Sequence, residues 1–175
     1  MQMLGVKDLK IIPALGEEKA ADGLPPEALV MALASHKGHE VAARCAEDDV
    51  VIAADTIVWH EGRVFGKPHD EAEASRMLRA LSGKRHQVYT GVSVLRGGVE
   101  KLGYEMSYVR FRTLTDGEIA AYIATGEPMD KAGAYGAQGL AALFVEGIDG
   151  DFFNVMGLPL CRLGQMLREQ GVELP

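Results

Sequence analysis

The feature that most constrains this chain is Val50-Val51-Ile52-Ala53-Ala54, an unbroken run of β-branched and small apolar residues followed at once by Asp55-Thr56. Such a run reads as a strand buried on both faces, which requires helices on either side. A carboxylate at the carboxyl end of a buried strand is where open α/β sheets place their sites. Asp55 is then either a general base or a metal ligand, with Thr56 offering a hydroxyl beside it, or simply the side chain of an Asx turn.

The flanking segments supply the rest of an α/β chain. Pro25-Pro26-Glu27 opens a helix, with Leu29, Val30, Leu33, Val41 and Ala42 on one face up to about Arg44. Asp70 with Glu73 caps a second helix, buried through Ala72, Met77, Leu78 and Leu81 and ended at Gly83. Alternation from Gln87 to Leu95, a turn at Gly97-Gly98 and a second run from about Glu100 to Phe111 make a hairpin. Thr115 and Glu118 form a capping box for a short helix that closes at Gly126, Ala141 to Val145 reads as a strand, and a last helix follows Pro159 on Leu160, Leu163, Met166 and Leu167. The expectation is one α/β domain with a mixed, twisted sheet flanked by helices.

Charge and composition narrow the function. With 18 Lys+Arg against 25 Asp+Glu the formal charge is -7, which argues against a nucleic-acid partner. No apolar run reaches the roughly 18 residues that span a bilayer, and no basic-then-apolar leader is read at Met1, so no membrane partner is expected. Two distant cysteines, Cys45 and Cys161, suit a reduced cytoplasmic setting and read as small buried hydrophobes. The five histidines lack metal-ligand spacing and read as surface or packing residues.

Small anions remain as ligands, because a few local cations can outweigh the global sign. Lys67, in Gly66-Lys67-Pro68, is either a phosphate contact or an exposed turn lysine. Lys37 either reaches back over the core face toward a ligand or serves the helix C-terminus. Glu18, within Glu17-Glu18-Lys19, is a second metal carboxylate or part of a solvated charge run. The segment from Asp130 to Gly139 is the densest, carrying Asp130, Lys131, Tyr135 and Gln138 between three glycines. Glycine permits close backbone approach and positive φ, and the Gln138 amide presents a donor and an acceptor suited to a nucleobase edge.

Ala54-Asp55-Thr56, Gly66-Lys67-Pro68, His86-Gln87-Val88-Tyr89-Thr90-Gly91, Gly126 through Gly136, Gln138-Gly139 and Val155-Met156-Gly157-Leu158-Pro159 stand in the order of one family. Together they resemble the Maf family of nucleoside triphosphate pyrophosphatases. The resemblance implies a fold related to inosine triphosphate pyrophosphatases, two lobes around a cleft, a homodimer and a divalent metal, Mg²⁺ or Mn²⁺. It implies hydrolysis between the α and β phosphates, Asp55 as the proton acceptor, and Glu18, Lys37 and Lys67 lining the phosphate and metal site. Thr56 and Gln138 match the positions that separate the dTTP/UTP subfamily from the 7-methyl-GTP one, and both fit the former. Nucleotide-pool sanitation or division arrest is the implied role, with a non-catalytic regulatory module in septum formation as the alternative. Family members begin with an apolar strand and a Ser-x-Ser-Pro-Arg-Arg loop. Met1-Gln2-Met3-Leu4-Gly5-Val6 matches only the end of the helix that follows, so residues 1–175 are expected to form a single domain incomplete at its N-terminus.

Overall fold

The computed structural model describes residue 6, residues 9–16 and residues 23–174. Five strands form one sheet in the order β2-β1-β3-β4-β5: β1 (Val51–His60), β2 (Arg63–Phe65), β3 (Arg85–Arg96), β4 (Val99–Phe111) and β5 (Val145–Asp149). Helix α1 (Pro26–Ala42) precedes them, α2 (Glu71–Leu81) and α3 (Asp116–Ile123) lie between strands, and α4 (Phe152–Val155) and α5 (Leu160–Glu169) follow.

The α/β architecture agrees with the sequence reading, and its pairing is antiparallel throughout the described sheet where a mixed sheet was expected. Tight turns explain two of the four pairings. Gly97-Gly98, both at positive φ, joins β3 to β4 with Arg96 opposite Val99. Glu61-Gly62, also at positive φ, folds β2 back on β1 with His60 opposite Arg63. Two-residue loops of this kind match the strands' own twist.

Two expectations are corrected in detail. The buried strand does not stop before Asp55 but continues to His60, because Thr56-Ile57-Val58-Trp59 are strong strand formers. Leu140–Leu143 forms a 3₁₀ turn, and the strand follows it as β5.

Alternate residues of the sheet feed separate cores. Ile57 and Tyr89 meet Val30 of α1 on one face. On the other face Val58, Val88 and Val109 pack with α2 and α3, while Val92 and Val94 pack with Leu163, Met166 and Leu167 of α5. Thr90 lies between these two clusters, beneath α4. Helix α1 rests directly on β3. A Cβ at Gly91 would collide with the Val30 carbonyl, and one at Gly38 would meet Ser93 and Leu95. The caps foreseen for α2 and α3 are present: Asp70 Oδ1 accepts from Glu73 N at 2.6 Å, and Thr115 with Glu118 closes the full box.

His86 is a packing residue, edge-on to Phe111 and Tyr135, with Nε2 2.8 Å from the Tyr135 hydroxyl. Burial, with a smaller contribution from His60, pushes its pKa down to about 3. An unfolded chain takes up this proton near pH 6.5 and the folded one does not, so stability falls as pH drops through that window. The carboxylate of Glu118, lowered to about 2 chiefly by its hydrogen bond from Arg112, titrates below it. Urea unfolding at pH 7.5 and pH 5 should therefore differ by about 2 kcal/mol; an unchanged stability would mean His86 is charged in the folded protein.

Candidate functional site

Strand β2 covers β1 only from Val58 onward. The cleft opens at the edge of β1 beyond that point, between α1 on one side and α2 with the 3₁₀ segments around residues 127–138 on the other. Its volume is about 780 Å³, within the range of small-ligand sites.

Lys37, Asp55, Thr56, Lys67, Asp130, Lys131 and Gln138 all line it, although they come from four separate parts of the chain. Glu18 lies outside the described residues. Asp55 stands inside β1, opposite Gly91, and is 8% exposed. Strand alternation aims it at the α1 face, and Lys37 Nζ of α1 donates to its Oδ1. Gly38 and Gly91 make that contact possible, since without their close approach α1 would ride farther from the sheet. The ammonium thus sets a positive charge directly against an almost buried carboxylate. Thr56, the next residue, points to the opposite face and reaches Thr90 Oγ1 at 2.9 Å.

The glycine-rich loop is anchored from behind. The Tyr122 hydroxyl donates to Glu127 Oε1 at 2.9 Å and accepts from Gly136 N at 3.2 Å, while Glu127 Oε2 accepts from Leu140 N at 3.1 Å. A Cβ at Gly139 would strike the Glu127 carboxylate, and one at Gly133 would strike Val58. Gln138 stands exposed at the loop's outer bend. Gly133 N donates to Gly66 O at 3.0 Å, which brings the Lys67 loop against the Lys131 loop. Lys131 Nζ donates to Asp130 at 2.6 Å, and this ion pair holds the Asp130 carboxyl below its usual range. Tyr135, counted in the sequence among the loop's polar groups, turns its hydroxyl into the core toward His86.

Asn154 behind Thr56 and His69 and Glu73 on the cleft wall are not singled out as site residues by the sequence, and Thr90 stands there only as one residue of the matched stretch His86–Gly91. The sequence gives Glu73 a capping role, and its Oε2 accepts from His69 N at 2.8 Å. Nothing in residue type marked Thr90 or Asn154, because a buried polar residue looks in sequence like any other. Cys161 is exposed and Cys45 half-buried, both as free thiols, which corrects the expectation that they are buried.

Among the described residues no group of three or more His, Cys, Asp or Glu side chains could enclose a metal ion. Mg²⁺ needs no such cage, because it is commonly held by one or two carboxylates plus substrate phosphates. Asp55 in a cleft with room for a polyphosphate fits that requirement.

Fold and cleft together define an α/β protein with an open polar cleft, in which Lys37, Lys67 and Lys131 stand with the carboxylates of Asp55, Glu73 and Asp130. The chain belongs to the Maf family: the family described as Maf-like protein matches residues 1–170. A protein of Moorella thermoacetica named dTTP/UTP pyrophosphatase is 51% identical over 166 residues, covering 94% of this chain and 85% of that relative. Its namesake in Thermococcus gammatolerans is 48% identical over 169 residues, with 97% and 89% covered. A third, from Bacillus cereus (strain ZK / E33L), is 44% identical over 174 residues, with 99% and 90% covered.

Proposed function

We propose that this protein hydrolyses dTTP, UTP and related pyrimidine nucleoside triphosphates to the nucleoside monophosphate and pyrophosphate. The observation that carries the reading is the Lys37–Asp55 pair in a nucleotide-sized cleft that also holds Lys67, Lys131 and Gln138. Asp55 takes a proton from water as the water oxygen bonds to the α-phosphorus and the bond from that phosphorus to the α–β bridging oxygen breaks. Pyrophosphate leaves with the electron pair, and the proton passes from Asp55 to solvent. Lys67 and Lys131 face the charge that gathers on the leaving group. Lys37 holds Asp55 in orientation between turnovers. A divalent ion, Mg²⁺ or Mn²⁺, would be held by Asp55 and would supply further neutralisation of the polyphosphate.

Gln138 supports the pyrimidine assignment. Its amide can both donate to and accept from a base edge, whereas a carboxylate there would favour a base that offers donors or carries positive charge. Gln138→Glu should lower kcat/KM for UTP and dTTP relative to 7-methyl-GTP by about tenfold. A preference ratio that does not move removes Gln138 from base recognition.

The setting is read as cytoplasmic, which suits two free thiols. No helix among the described residues is long and apolar enough to cross a membrane. A homodimer and a role in nucleotide-pool clean-up or division arrest complete the proposal, on family likeness alone. A non-catalytic regulatory module has no observation of its own in its favour. The test is a panel of nucleoside triphosphates with Mg²⁺ or Mn²⁺, scored for monophosphate and pyrophosphate in equal amounts. Tight nucleotide binding without any product would overturn the enzymatic reading.

A further inference from the structure

Thr56 is joined to a chain of buried hydrogen bonds whose direction is fixed. Thr90 is fully buried, and its Oγ1 donates to the backbone carbonyl oxygen of Asn154 at 3.0 Å. A hydroxyl has one proton to give and a carbonyl can only accept. The Thr90 proton is therefore committed, and in the 2.9 Å contact between Thr56 Oγ1 and Thr90 Oγ1 the donor must be Thr56. The side chain of Asn154 pins this stretch of backbone against the sheet. Its Nδ2 donates to Val88 O at 3.1 Å and to Ser107 Oγ at 3.0 Å, and Ser107 Oγ in turn donates to Asp151 O at 3.0 Å. Thr56 thus presents only lone pairs to the cleft. Gly157 leaves that side of the hydroxyl open, since a Cβ there would stand 3.3 Å from Thr56 Oγ1.

From this we infer that Thr90 is a positioning residue for base selection: it makes Thr56 an acceptor-only group that reads the ring N3–H of uracil or thymine. The inference rests on the pyrimidine triphosphate reading above and deepens it. On a uracil or thymine ring the carbonyl oxygens are acceptors, and N3–H is the sole hydrogen-bond donor. An acceptor-only hydroxyl can meet such a base nowhere else. Cytosine carries a lone pair at N3, which would face the lone pairs of Thr56 without a proton between them. A site arranged this way rejects the wrong base because the mismatch leaves polar groups unpaired.

The test is the ratio of kcat/KM for UTP to that for CTP in Thr90→Val and Thr90→Ser. Valine keeps the shape of Thr90 but gives Thr56 no acceptor, so Thr56 can rotate its proton into the cleft and accommodate cytosine. The UTP-to-CTP ratio should fall about tenfold in Thr90→Val, as expected for one reoriented hydrogen bond, and return to the wild-type value in Thr90→Ser. Thr56→Val and Thr56→Ser form a second pair that leaves the buried chain alone, and the same fall and rescue are expected there should Thr90→Val fail to fold. Equal losses on UTP and CTP in the valine variants would overturn the inference, because a sugar hydroxyl or a bound water would then be the partner of Thr56. Wild-type protein that turns over neither nucleotide would instead be a failure of the enzymatic reading, and it is seen before any variant is made.

Discussion

Asp55→Asn should abolish turnover of UTP and dTTP while leaving nucleotide binding largely intact. Asparagine has nearly the same shape and still accepts the Lys37 ammonium through its carbonyl oxygen, so the cleft keeps its form. What it loses is the capacity to take a proton from water. A positioned general base contributes typically 10²–10⁴-fold, so kcat should fall by roughly three orders of magnitude. Calorimetric titration with UMP or pyrophosphate in the absence of divalent metal separates this from a folding defect, since metal-free product affinity should change little. Turnover within a fewfold of wild type would remove Asp55 from the proton transfer.

Gly91→Ala should be the most damaging single methyl in the fold. The added carbon would drive into the Val30 carbonyl and the start of the next peptide, and backbone cannot swing aside as a side-chain tip can. Overpacking a tight interior costs typically 1–3 kcal/mol and sometimes more. For a chain of this size that lowers the melting temperature by roughly 5–10 °C. The shift should reach the site as well, because α1 must rise from β3 and carries Lys37 away from Asp55. A loss of kcat measured below the melting transition is thus expected beside the loss of stability. Gly117→Ala is the matched control: it lies in α3 with nothing within 4 Å of an added Cβ, and there alanine should be neutral or mildly stabilising. Equal melting temperatures for the two variants would contradict the close approach of α1 to the sheet.

Residue type nominates much of this site without deciding it, and the ordered resemblance to one family settles the choice between ligand contacts and solvated turns. Lys37, Lys67, Lys131, Asp130 and Gln138 stand out in sequence as charges and an amide near glycine, and the fold brings them to one cleft with Asp55 and Thr56. The Asp55 reading misled about its strand. A carboxylate after five apolar residues suggests an end, yet β1 runs on because Lys37 offsets the charge and Thr56 to His60 favour extended backbone. The three residues of β2 are too few to show alternation. Ala141–Val145 is apolar enough for a strand, but Leu140–Leu143 closes a 3₁₀ turn against the Glu127 anchor. Thr90 and Asn154 are not singled out in sequence for a different reason. Their importance lies in the direction of hydrogen bonds across 64 residues of sequence, and spacing carries no trace of that.

The central claim is that water attacks the α-phosphorus and expels pyrophosphate, and the fate of the water oxygen tests it most directly. UTP hydrolysed in ¹⁸O-enriched water with Mg²⁺ should give uridine monophosphate carrying one ¹⁸O, and pyrophosphate carrying none. Label found in pyrophosphate, or products of uridine diphosphate and inorganic phosphate, would place the attack on another phosphorus and contradict the account.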